Sequence, residues 1–204
     1  MWPKRRDCNV MMKYRTLGVY ILLFLLIACR QNQKSNQKYF DFDRLIDDQI
    51  SELSQRKRVL DKVVDIGGDK SDTTFLPSVG GWTTELEIFR ELEKINKPAS
   101  QPVYKIEDQV EDTKSNLLIR RYVADSEPVP VIEFYYQKEF AQLKKIEASI
   151  GEKNVLYTAH RVLKLEFDEG EEGHPLLIRY SVDGFQKMIM RDTVRISMTG
   201  EIDW

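Results

Sequence analysis

The sequence predicts an α+β domain: an antiparallel meander of about seven to eight strands, half-barrel or barrel-like, with two N-terminal helices packed against it. Three observations carry this. From Pro102 onward, short β-branched and aromatic segments alternate apolar with polar residues and are separated by turn residues. In two stretches before it, residues 41–56 and 84–97, the apolar residues recur at helical spacing instead. The length of 204 residues, with 42% hydrophobic and 31% charged, suffices for one substantial core, and no repeat, low-complexity segment or linker divides it.

Charge is divided unevenly along the chain. Met1 to Ala28 carry five basic residues against one acidic, whereas the remainder carries 26 basic against 32 acidic. A mildly acidic domain with singly scattered Lys and Arg has no footprint for nucleic acid, whose binding rests on clustered phosphate contacts.

The first element is the apolar run Leu17 to Ala28, 12 residues that end at Cys29. A membrane-crossing helix needs about 20 residues, whereas the apolar region of an export signal needs only about 7–15. Lys13 and Arg15 precede the run and the small Ala28 closes it, which is the three-part order of an export signal. Met11 and Met12 would give an equally good start, with MMKYRT as its basic segment.

Leu26-Ile27-Ala28-Cys29 resembles the lipobox of bacterial lipoproteins, with an aliphatic residue three positions before the cysteine and a small one just before it. The resemblance implies cleavage between Ala28 and Cys29, a diacylglyceryl thioether on Cys29, and a short flexible tether over residues 29–38. Residues 1–28 would then be a removed signal peptide and 39–204 the single folded domain. One fatty chain holds only marginally, and two or more attach a protein firmly to a bilayer. Cys8 is the one other cysteine and lies in the removed segment, so the folded part would hold no disulfide and no thiol nucleophile. Arg30 rather than aspartate follows Cys29, and in the lipoprotein family this favours the outer membrane, at its periplasmic face.

The first helix is expected from about Asp41 to Arg56, because Phe42, Ile46, Ile50 and Leu53 fall on one face with Asp47, Asp48 and Glu52 away from it. Its acidic flanks favour packing on a sheet over lying on a membrane. Gly67-Gly68 then marks a hairpin turn between a β-branched run and Ser71 to Phe75. Thr84-Glu85-Leu86-Glu87 has the form of a capping box, opening a second helix striped by Leu86, Phe89, Leu92 and Ile95 and stopped at Lys97-Pro98. Trp82, just before it, reads as a core anchor.

In the meander, Asp183-Gly184 is the strongest turn signal, a type I′ dipeptide that would pair Val182 with Phe185, Tyr180 with Lys187 and Ile178 with Ile189. The last strand places Val194, Ile196 and Met198 inward and Arg195, Ser197 and Thr199 outward.

Residues suited to chemistry are few. His160 shares a strand face with Thr158 and Val162, and His174 precedes Pro175; two isolated histidines do not make a zinc site, so no metal or other cofactor is expected. The acidic stretch Asp168 to Gly173 lacks the ordered alternation of a calcium loop and reads as a solvated connection. Ser78 has no flanking G-x-S-x-G glycines, and Glu133, Glu147 and Glu166 read as wet-face strand residues, so no catalytic residue is assigned. Gly67-Gly68 and Gly80-Gly81 read as turns, since no Gly-Lys-Ser/Thr follows either.

The function expected is that of a lipid-anchored cell-envelope module, non-enzymatic, binding a protein partner or an apolar ligand. An envelope hydrolase would need a polar cleft joining His160 or His174 to a carboxylate and a hydroxyl. An accessory subunit of an outer-membrane assembly would need an exposed apolar patch.

Overall fold

The computed structural model describes residues 39–97, 104–125, 128–170 and 173–204. The segment that contains Ala28 and Cys29 lies outside the described residues, as do Glu171 and Glu172 of the acidic stretch.

Helix α1, Phe42–Gln55, begins where the Asp41 carboxylate accepts the Arg44 backbone N–H at 3.1 Å, a side-chain cap for an otherwise orphaned donor. Its buried stripe contains Phe42, Ile46, Ile50 and Leu53 and adds Leu45 and Gln49. Strands β1, Val59–Ile66, and β2, Asp69–Phe75, follow as a hairpin. Gly67 and Gly68 join them with φ of 64° and 102°, the doubly positive backbone that a type I′ turn requires.

The second helix differs from the sequence reading. Helix α2 runs Val79–Leu86, capped by Ser78, whose hydroxyl accepts the Gly81 N–H at 3.1 Å. Gly80 and Gly81 are therefore helical rather than a turn. Thr84 does not start a helix but sits within one, donating its hydroxyl to the Gly80 carbonyl at 3.0 Å. A 3-10 helix, Glu87–Asn96, then continues the chain. Leu86, Phe89, Leu92 and Ile95 are spaced by three, so at three residues per turn they fall on one line, and each is at most 1% exposed.

Strands β3 (Lys105–Glu111), β4 (Leu118–Val123), β5 (Val131–Tyr136), β6 (Leu143–Lys153), β7 (Tyr157–Glu169), β8 (Pro175–Met188) and β9 (Thr193–Asp203) form the meander. All neighbours pair antiparallel in one nine-stranded sheet of order β2-β1-β9-β8-β7-β6-β5-β4-β3. The count exceeds seven to eight because the N-terminal hairpin joins the same sheet through β1 and β9. The sheet does not close into a barrel, and β2 and β3 remain its edges. Charged and hydroxylated residues line β2, and a register shift with Gln109 at φ 57° breaks β3, two features that discourage further strand addition.

Asp183-Gly184 is not a turn. It lies inside β8, with Gly184 opposite both Arg161 and Ile196, so the pairings expected across a two-residue loop do not form. The glycine serves a close approach instead: a β-carbon at 184 would fall 2.3 Å from the His160 carbonyl oxygen. The real reversal comes at residues 189–192, with Met190 at φ 58°.

The helices cover one face of the sheet. Trp82, fully buried, joins Leu86, Phe89 and the α1 stripe against Leu60, Phe134, Ile146, Leu165 and Tyr180 in one core. Of the three apolar residues expected inward on β9, Met198 packs on that core, whereas Val194 is 42% exposed because this end of the sheet extends past the helices.

Candidate functional site

Strand alternation sends every second residue to the face without helices, and the register aligns those residues in rows across the sheet. One row runs Arg121, Glu133, Glu147, Lys164, Ser181 and Thr199. A second runs Val131, Ser149, Val162, Asp183, Ser197 and Asp65. The resulting surface is polar but not uniformly so.

Toward β4 and β5 the face forms an open groove of about 880 Å³, with Ile119 and Tyr135 at its base, 4% and 9% exposed. Ion pairs cover these apolar groups. Arg121 bonds Glu133 at 2.6 Å and reaches Glu107 at 3.5 Å, while Lys145 and Lys164 approach Glu147 at 3.3 and 3.8 Å. The Lys145 ammonium stands 3.7 Å over the Tyr135 ring, a favourable cation–π placement. Burial and then the Glu133 carboxylate, which accepts the Tyr135 hydroxyl at 2.8 Å, hold that phenol well above its ordinary pKa. Glu133, Glu147 and Glu166 thus line one groove, as wet-face residues engaged with cations or close to them.

Toward β7 to β9 a second open depression of about 700 Å³ is lined by Asp65, His160, Asp183, Phe185, Arg195 and Ser197. His160 Nε2 lies 2.8 Å from the Ser149 hydroxyl, and its ring stacks on Phe185 with centroids 6.1 Å apart. Asp183 lines the same depression but accepts its hydrogen bond from Ser197, at 2.6 Å. Among the described residues no carboxylate bonds His160, so the structure joins a histidine to a hydroxyl and stops short of a triad. The sequence held no sign of the Ser149–His160 contact, because its two members lie on different strands and meet only through the β6–β7 register.

His174 lies next to Pro175 at the start of β8, far along the strand from His160, and Ser78 is engaged as a helix cap. Asp168 meets Lys144 at 3.5 Å. Among the described residues no group of three or more His, Cys, Asp or Glu is arranged to hold a metal ion. No described helix is long and apolar enough to cross a membrane.

No protein-family model matches the chain, and neither does any curated protein or solved structure.

Proposed function

We propose that the chain is a lipid-anchored lipoprotein of the cell envelope, held through Cys29 at the periplasmic face of the outer membrane. In this reading it is a non-enzymatic module that offers the uncovered face of its sheet to a partner protein. The observation that supports partner binding is the groove above Ile119 and Tyr135, open along the sheet and lined by side chains of both charge signs. Charged groups of both signs arranged on one face can select a partner by electrostatic complementarity. An apolar ligand calls for an enclosed apolar cavity, and the two depressions described above are open to solvent and edged by charges.

Two experiments test the reading. Cys29→Ser abolishes fatty-acid labelling and membrane fractionation; continued labelling with unchanged processed mass overturns the anchor. A photo-reactive residue at Ser149, Lys164 or Thr199 gives a defined adduct in living cells, while one at Arg44 or Asp48 on the outer side of α1 gives none. Adducts from both sides alike, or from neither, overturn the assignment of the sheet face.

A further inference from the structure

Two neighbouring hairpins run past the helices and end side by side. The β6–β7 turn at residues 154–156 and the β8–β9 turn at 189–192 are joined where the Ile189 N–H donates to the Leu156 carbonyl at 3.0 Å. Their outer residues are apolar and bare: Met190 is 100% exposed, Val155 85%, Leu156 68% and Ile189 55%. Scattered apolar side chains on a surface are ordinary, but four on two adjoining turns form a patch that water disfavours.

The turns are built rather than frayed. The Asn154 side chain accepts the N–H groups of Leu156 and Tyr157 at 2.8 and 2.9 Å, and the Asn154 N–H donates to the Tyr157 carbonyl at 3.0 Å. Met190 occupies the left-handed backbone region, where glycine or asparagine is at ease and methionine is strained. The chain thus accepts local strain at the apex and places a long apolar side chain there. Lys153, Lys187 and Arg191 flank the tips against Glu152 and Asp192, a basic excess in a domain whose residues 39–204 carry 23 basic and 32 acidic groups.

We infer that the two tips enter the interfacial region of an anionic lipid bilayer, giving the protein a second point of attachment beside its acyl chains. The inference rests on the lipid-anchor reading, and the lengths agree with it. Tyr39 packs edge-on against Tyr104 and Tyr122, with centroids 5.6 and 5.5 Å away. Tyr122 shares a cross-sheet row with Ile132, Ala148, Leu163 and Val182. From Ala148 to Lys153 is five strand steps, about 17 Å, with the 154–156 turn beyond, and β6 stands two strand spacings, about 10 Å, from β4. The nine residues from Arg30 to Lys38 span at most about 30 Å when extended. Acyl chains and hairpin tips therefore reach one bilayer. Apolar tips would sit at the acyl boundary while the flanking Lys and Arg meet anionic headgroups.

The test uses the acylated protein expressed from the full sequence with Met190→Cys, the new thiol carrying an environment-sensitive fluorophore, reconstituted into phosphatidylethanolamine and phosphatidylglycerol vesicles. Emission shifts to the blue and is quenched by lipids brominated in their acyl chains. Quenching weakens when phosphatidylglycerol is omitted, when salt is raised, or when Lys187→Glu and Arg191→Glu are introduced. Deleting residues 31–36 keeps the acyl mass and vesicle flotation but loses the quenching. A chain that floats while its probe stays water-exposed overturns tip insertion and leaves the anchor standing; a Cys29 peptide without acyl mass overturns the anchor itself. A probe shielded in native envelope membranes but not in protein-free vesicles overturns the inference in favour of a protein partner.

Discussion

The ring of Tyr180 lies against the α-carbon of Gly200, its partner across β8 and β9, so closely that a β-carbon at 200 would fall 2.3 Å from two ring carbons. The ring cannot retreat easily. It is fully buried, and its hydroxyl donates to Glu85 at 2.8 Å, the same carboxylate that Lys62 reaches at 2.6 Å. Burial and then that carboxylate keep the phenol well above its ordinary pKa, so it remains a donor throughout the neutral range. Gly200→Ala is expected to cost about 3 kcal/mol through overpacking. Urea unfolding reads this directly, and a variant within about 0.5 kcal/mol of the parent, the range of ordinary surface changes, contradicts it.

Gln49 is the buried polar side chain of α1, 4% exposed, and it completes the backbone of β8. Its amide donates to the Pro175 carbonyl and accepts the Leu177 N–H, both at 2.8 Å, where β7 and β8 change register. Gln49→Leu strands both groups and should destabilise by about 2 kcal/mol. Hydrogen exchange at the Leu177 amide should accelerate; unchanged protection there would show that the clamp is dispensable.

Glu91 ties the 3-10 helix to β7 through paired contacts to Arg161 at 3.1 and 3.2 Å, with Lys94 at 2.8 Å. Burial alone would raise its pKa, but the Lys94 hydrogen bond and the two cations outweigh burial and lower it. A carboxyl depressed in the folded state contributes stability above its unfolded pKa of about 4.3, and that contribution fades as pH falls through the folded value. Glu91→Gln should therefore cost about 1 kcal/mol at pH 7, after allowance for solvent screening, and converge on the parent in acid. A loss that is equal at pH 7 and in strong acid contradicts the ion-pair account.

Met190→Gly separates folding from surface function. Relief of the positive φ should raise stability by about 0.5–1 kcal/mol, seen as a higher Tm, even though glycine loosens the unfolded chain. Vesicle insertion of the tips, followed by a probe at Val155 instead, should weaken. If stability falls, the backbone at 190 is not strained.

Much of the fold was legible because burial and period coincide. The four-residue stripe of α1 and the Gly67-Gly68 turn were readable in this way, as were most strands of the meander. The stripe of Leu86, Phe89, Leu92 and Ile95 was legible as helix too; its spacing of three marks a 3-10 helix, and the chain turns helical at Val79, ahead of the Thr84 box. Asp183-Gly184 misled because the same dipeptide serves a turn or a close strand approach, and the crowding that decides between them, at the His160 carbonyl, belongs to a residue 24 positions away. The true reversal carries Met190 where a glycine would have announced it. The groove over Ile119 and Tyr135 was illegible for a related reason: its wall residues come from several strands and become neighbours only through register.

The pairing of β1 with β9 sets a condition on how the sheet is completed. Val59 finds Asp203, and Ile66 finds Ile196, only after nearly the whole chain is in hand. Contacts so distant along the chain must meet their loop-closure cost before they contribute, which slows the search for the native state. The first hairpin can form locally, but its place in the sheet waits for the last strand. A chain exported N-terminus first, as the proposed signal directs, would keep this seam open until its final residues had crossed, with β1 unable to lock prematurely on the inner side.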